Sequence, residues 1–143
     1  MKLVVDASMA TKWVTREANS ADALRFAQRH GGRLHAPDLL HVEVMGALVR
    51  LTNQRVMTPE KAERALDRLT RILSDGAFRT HRVTQALARD AARLAMDLGH
   101  PIKDCVYLAL AGELGCPLVT ADVKFRDRAV MRYPAIKLLA ELA

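Results

Sequence analysis

The chain has 143 residues, half of them hydrophobic, with 22 Lys and Arg against 16 Asp and Glu. One domain over residues 1–143 is expected, with enough apolar material for a real core. No apolar run nears the ~20 residues of a membrane span, the opening MKLVVDAS is no secretory leader, and Cys105 and Cys116 form neither a zinc pattern nor a disulfide framework. A cytoplasmic protein with reduced thiols and no membrane association is expected. The net charge of +6 and pI near 9.8 favour an anionic partner, nucleic acid first. Aromatic residues make up only 4%, too few for a base-stacking platform, so binding would lean on phosphates and shape.

Residues 2–6, KLVVD, read as a short strand ending in Asp6, and Ala7 to Thr15 as a helix with Trp13 turned to the core. Ser20 is the expected cap of a second helix running to His30, with Leu24 and Ala27 in its apolar stripe and Gly31-Gly32 at its end. Arg33 to Ala36 is a candidate strand, held extended by Pro37. Asp38 to Leu51 is a strongly apolar helix. Thr58-Pro59 starts the next one, a capping residue followed by Pro at the first helical position. Its apolar residues Ala62, Ala65, Leu66, Leu69, Ile72 and Leu73 keep the helical period, and Asp75-Gly76 stops it.

Phe78 to Val83 has partial strand character. Thr84 caps a helix to Leu98, stopped by Gly99 and Pro101. Ile102 to Leu114 is a helix with little polar face, ended by Gly115-Cys116-Pro117. Pro117 to Ala121 is an apolar strand closed by Asp122. Lys124 to Met131 is a short helix or loop, and Ala135 to Leu139 a last strand. Strands that alternate with helices imply a parallel sheet covered on both faces. An apolar strand without polar alternation fits such a sheet.

Ligands of open parallel sheets bind beyond the carboxyl ends of the strands, where Asp6 and Asp122 stand. Each has a structural alternative as a helix cap, and Asp104 has one as a first-turn acid favoured by the helix dipole. Glu43 has Leu39, Leu40, Gly46 and Ala47 as helical neighbours, none of them basic. Burying its charge costs several kcal/mol unless something pairs with it, either an Arg from elsewhere or a cation shared with the aspartates. Acids that converge do not all ionise easily. Mg²⁺ resolves this, because it takes oxygen ligands and is bound by one or two carboxylates plus a substrate phosphate. His35, His41, His81 and His100 have no partner at ligand spacing. His41 reads as helix surface and His100 as a loop residue. A basic protein with an acidic pocket suggests phosphodiester chemistry.

The pieces Val4-Val5-Asp6-Ala7-Ser8, Lys12-Trp13, the Pro37 to Leu48 helix with Val42-Glu43-Val44, Asp104 to Ala111 (DCVYLALA), and Leu118-Val119-Thr120-Ala121-Asp122 occur in this order over nearly the whole chain. Together they resemble the PIN-domain ribonucleases, and among these the VapC-type toxins of toxin–antitoxin pairs. The resemblance implies an α/β, three-layer fold: a five-stranded parallel sheet in the order 3-2-1-4-5 with helices on both faces, and Asp6 and Asp122 on neighbouring strands. It implies a Mg²⁺ or Mn²⁺ site with Asp6, Glu43, Asp104 and Asp122 as catalytic and metal-binding acids, Asp6 and Asp104 being the direct ligands. Thr120 and Ser8 are implied as hydroxyls that orient the acids. Lys103 departs from the resemblance, since many relatives carry an aromatic or apolar residue before the acid. It would compete for Asp104 or contact phosphate.

The implied activity is a metal-dependent endoribonuclease. A metal-activated water attacks phosphorus in line and expels the 3′ oxygen, giving a 5′-phosphate without use of the 2′-OH. That reading also rests on the absence of a His pair suited to acid–base cleavage. Arg126, Arg128 and Arg132, close after Asp122, are candidate RNA contacts with Lys103. Arg64, Arg68 and Arg71 are either a solvated stripe or a further RNA contact. Implied partners are RNA, a small cognate antitoxin, and a second copy of the chain through the helices between 38 and 75, as a homodimer or a hetero-oligomer with antitoxin. Two other readings compete: a catalytically silent PIN-like module that binds nucleic acid or protein, and a phospho-acceptor signalling domain. An intact set of four acids disfavours the first. Glu43 and the helix pair at 38–75 fit the second poorly.

Overall fold

The structure, a computed structural model, describes residues 1–76 and 78–142. Strands β1 (Leu3–Val5), β2 (Leu34–Pro37), β3 (Phe78–His81), β4 (Leu118–Thr120) and β5 (Ile136–Leu138) form one parallel sheet in the order β3-β2-β1-β4-β5. This is the expected order. β1, β2 and β4 are buried at every residue, as apolar strands covered on both faces must be. β3 lies at an edge and exposes Arg79 and Thr80, which explains its mixed composition.

The connections from β1 to β2 and β2 to β3 step one way along the sheet. They carry α1 (Ala7–Val14), α2 (Ser20–His30), α3 (Leu39–Asn53) and α4 (Pro59–Ser74). The return from β3 to β4 carries α5 (Gln85–Leu98) and α6 (Ile102–Leu114), and α7 (Val123–Ala129) leads to β5. Right-handed crossovers therefore put α1–α4 on one face and α5–α7 on the other. α1 packs on α2, α3 and α4, and α5 packs chiefly on α6.

Local chemistry sets the helix ends. Thr58 accepts from Lys61 N–H at 3.2 Å and Thr84 from Leu87 N–H at 3.1 Å, each satisfying a first-turn donor. Gly99 and Gly115 end α5 and α6 at φ 62° and 64°, a backbone region open to Gly at little cost. Cys105 to Ala111 are all buried, so α6 is an inner helix, apolar all round. Trp13 meets Phe78 edge to face at 5.8 Å and donates its indole N–H to Ala23 O at 3.0 Å, which joins α1 to α2 and β3.

Three local expectations are corrected. The cap position of α2 is Asn19, at φ 67°, while Ser20 Oγ bridges Glu17 N–H and Thr15 O. The buried face of α2 is Ala23 and Phe26, with Leu24 41% exposed, because the neighbouring helix decides which stripe turns inward. The last strand ends at Leu138, one residue earlier than expected, and Leu139–Leu142 form a short α8; the segment after Asp122 takes the helical of its two expected forms.

Candidate active site

The site is built where the strand order reverses. β1 and β4 are neighbours with Val5 beside Val119, so the chain leaves β1 at Asp6 next to Thr120. Asp6 is 3% exposed and has three donors. Ser8 Oγ donates to Oδ1 at 2.6 Å, Met9 N–H donates to Oδ1 at 3.2 Å, and Thr120 Oγ1 donates to Oδ2. Asp6 thus caps α1 and is also held rigidly in the site. Ser8 in turn accepts from Ala121 N–H at 3.0 Å, and Thr120 Oγ1 accepts from Asp122 N–H at 3.0 Å. The two hydroxyls expected to orient the acids do bind Asp6. Burial pushes the Asp6 carboxyl up to about 6, with the charge of Asp104 adding, against the three hydrogen bonds.

Glu43 on α3 is half-buried and its partner is not an arginine. Tyr107 of α6 donates its hydroxyl to Oε1 at 2.6 Å, and the exposed Lys103 ammonium stands 3.9 Å from Oε2. Lys103 therefore faces Glu43 and not Asp104, which corrects the expected competition. Burial holds the Glu43 carboxyl above the usual range, and Asp104 adds to this. Tyr107 is fully buried, and burial and Glu43 keep its hydroxyl firmly protonated. Asp104 lies in the first turn of α6, with Oδ2 2.7 Å from His100 Nε2.

Asp122 follows β4 and is tied to the same network through its backbone N–H on Thr120 Oγ1, while its side chain caps α7 by accepting from Phe125 N–H at 3.1 Å. The three arginines expected to face RNA all have partners within the chain. Arg126 pairs with Asp127 and Glu141, Arg132 with Asp97, and Arg128 donates to Gly99 O at 2.9 Å. Arg64 and Arg68 line a cleft of about 630 Å³ between α1, α3 and α4, with Arg16, Arg50 and Lys61. Arg71 and the four acids do not line it.

Burial is the main cause that raises the proton affinity of Asp6 and Glu43, the Asp104 charge adds a smaller part to each, and the exposed Lys103 ammonium stands 3.9 Å from Glu43 Oε2. Such a set of all-oxygen donors fits a hard divalent cation. Among the described residues no group of three or more Asp, Glu, His or Cys side chains is arranged to hold a metal ion; Glu43 Oε1 bonds Tyr107 and Asp104 Oδ2 bonds His100.

Two partners were legible in principle. His100 is four residues before Asp104, the spacing of neighbours on a helix face. Tyr107 is a hydroxyl inside an apolar helix, which needs an acceptor. The imidazoles of His35 and His81 do form a pair, Nδ1 to Nε2 at 2.8 Å, across β2 and β3. Their separation of 46 residues hid it. Since His35 is buried and the two rings bond each other, no free acid–base pair results.

A parallel sheet that gathers acids where its strand order reverses defines a doubly wound α/β protein with its site beyond the carboxyl edge. The family model for the PIN domain matches residues 3–131, and the chain belongs to that family. It is 31% identical over 136 residues to Ribonuclease VapC3 of Pyrobaculum aerophilum, across 95% of this chain and 98% of the relative. Among solved structures, PAE2754 from Pyrobaculum aerophilum superposes with a TM-score of 0.71 at 20% identity, over 99% of this chain and 93% of the other. VapC20 of Mycobacterium tuberculosis, described as a sarcin-ricin loop cleaving toxin, gives 0.69 at 16% identity over 92% and 95%. A toxin–antitoxin complex from Klebsiella pneumoniae gives 0.67 at 14% identity over 96% and 98%.

Proposed function

We infer that this chain is an endoribonuclease of the VapC type, the toxin of a toxin–antitoxin pair. The observation that carries the reading is Asp6: a buried carboxylate held by three donors at the reversal of strand order. The named ribonuclease relative supports the reaction class.

Asp6 and Asp104 would hold Mg²⁺ or Mn²⁺, with Glu43 and Asp122 completing the set. Bound there, the ion supplies a more acidic water and neutralises phosphate charge. Ser8 and Thr120 fix the Asp6 oxygens. Glu43 keeps Oε2 free of hydrogen bonds, and its raised proton affinity suits a group that takes a proton from the attacking water. Attack in line expels the 3′ oxygen and leaves a 5′-phosphate. Lys103, 64% exposed at the mouth, contacts a flanking phosphate.

The protein works in the cytoplasm, where its two free cysteines stay reduced. Among the described residues no helix is long and apolar enough to cross a membrane. The antitoxin is an acidic, amphipathic segment that occupies the α1–α3–α4 cleft. Five cations there face one acid, Glu17, over an apolar floor that includes Val14 and Met57. Val42, Met45 and Val49 form an exposed apolar ridge along α3, which pairs with a second copy.

Cleavage of a labelled structured RNA by antitoxin-free protein tests the reading, run with Mn²⁺, with EDTA and with Asp6→Asn. Cutting that needs the metal and is lost in the variant is expected, with 5′-phosphate ends. A 2′,3′-cyclic phosphate product would overturn the hydrolytic route. A folded protein that binds no Mn²⁺ and cuts no RNA would leave the silent binding module.

A further inference from the structure

Asp104 has one hydrogen-bond partner among the described residues, and it is His100. His100 is fixed from every side. Its backbone N–H bonds Ala95 O at 3.0 Å, and Pro101 follows it at the cap of α6. Its side chain is only 8% exposed. The ring lies flat on Phe125, centroids 4.8 Å apart and planes 18° from parallel, and Phe125 is fully buried. The second nitrogen, Nδ1, is 3.3 Å from Arg128 Nη1, which also donates to Gly99 O.

A guanidinium only donates. Nδ1 is therefore the acceptor, the ring proton sits on Nε2, and Nε2–H donates to Asp104 Oδ2. We propose that His100 is a positioning residue for Asp104, with Phe125 fixing its ring plane and Arg128 its tautomer, so that one carboxylate oxygen is held and Oδ1 stays free for a cation. The proposal rests on the metal-site reading above. Its physical need is plain: Asp104 lies in the first turn of α6, and among the described residues no other group bonds its carboxylate. Without the imidazole its side chain turns toward water. Partners of metal-ligating groups that hold them in orientation matter about 10–100-fold for affinity or activity.

Two variants separate the hydrogen bond from the packing. His100→Phe keeps a flat ring on Phe125 and loses the donor. His100→Gln keeps a donor at the Nε2 position and loses the ring. Calorimetric Mn²⁺ affinity, kcat and KM on RNA, and Tm are measured for each. The Phe variant is expected to bind Mn²⁺ about 10–100-fold more weakly and to lose kcat by a similar factor, with KM held within about twofold. The Gln variant is expected to recover most of both. In the metal-free protein, imidazole ¹⁵N shifts are expected to report the Nε2–H tautomer, and a mixture of tautomers in Arg128→Met. A folded Phe variant with wild-type Mn²⁺ affinity and kcat overturns the proposal, as does an Nδ1–H tautomer in the wild type. Wild-type protein that binds no Mn²⁺ overturns the metal-site reading itself, and the proposal with it.

Discussion

Asp6 holds a cost that its neighbours only partly relieve. Its folded pKa of about 6 lies above the ordinary 3.8. Below pH 3.8 the carboxyl is protonated folded or unfolded, and contributes nothing. Between about 4 and 6 the unfolded chain loses that proton and the folded chain keeps it, so stability falls as pH rises. Above 6 the full penalty stands, about 3 kcal/mol at 1.36 kcal/mol per pKa unit. Asp6→Asn is therefore expected to be more stable than wild type at pH 7.5 in EDTA, by on the order of 1–3 kcal/mol in urea unfolding. That gain should shrink to nothing near pH 3.5, and equal stability at both pH values would show that the carboxylate is not desolvated. The cap function of Asp6 was readable from its place after a strand. Its burial was not, because it depends on Thr120, 114 residues away.

Secondary-structure elements show where local chemistry suffices. Thr84 and Thr58 were recognisable as caps, since a hydroxyl before a helix and a donor three residues on are neighbours in sequence. Thr84→Ala is expected to cost about 1 kcal/mol, read as a lower urea midpoint, with kcat unchanged. A loss of kcat would mean that α5 shapes the site through α6. The pairing of β2 with β3 carries a second test. Burial and then the nearby His81 hold the His35 imidazole below its ordinary 6.5. The unfolded chain thus binds that proton first as pH falls, so the contribution is complete above about 6.5 and is lost as pH drops toward the folded value. His35→Gln is expected to flatten the stability profile between pH 7 and 5. An unchanged slope would remove the imidazole pair as its source.

At the scale of the whole molecule, the basic excess is unevenly engaged. Arg126, Arg128 and Arg132 bond within the chain, whereas the α1–α3–α4 cleft gathers five cations around Glu17. If that cleft takes an acidic antitoxin segment, Arg64→Glu should weaken inhibition by the antitoxin severalfold and leave RNA cleavage intact. Loss of cleavage with full inhibition would assign the cleft to RNA. The α3 ridge makes a separate claim. Val49→Glu should shift the antitoxin-free protein from dimer to monomer in analytical ultracentrifugation, and a dimer that persists would place the interface elsewhere.

The alternation of strands with helices, a parallel sheet covered on both faces, and most helix limits were accessible from the chain alone, because apolar runs, caps and Gly stops are local signals; the strand order came from the family resemblance. The family resemblance in DAS, DCVYLALA and LVTAD supplied the site that these signals only suggested. Long-range contact settled the rest. Which stripe of α2 turns inward, that Glu43 meets Tyr107, that the rim arginines are occupied, and that His35 finds His81 all depend on atoms brought within a few ångströms across 46 to 114 residues of chain or from a neighbouring layer. A hydrogen bond or a buried charge is decided by what arrives at that distance, and separation in sequence carries no trace of it.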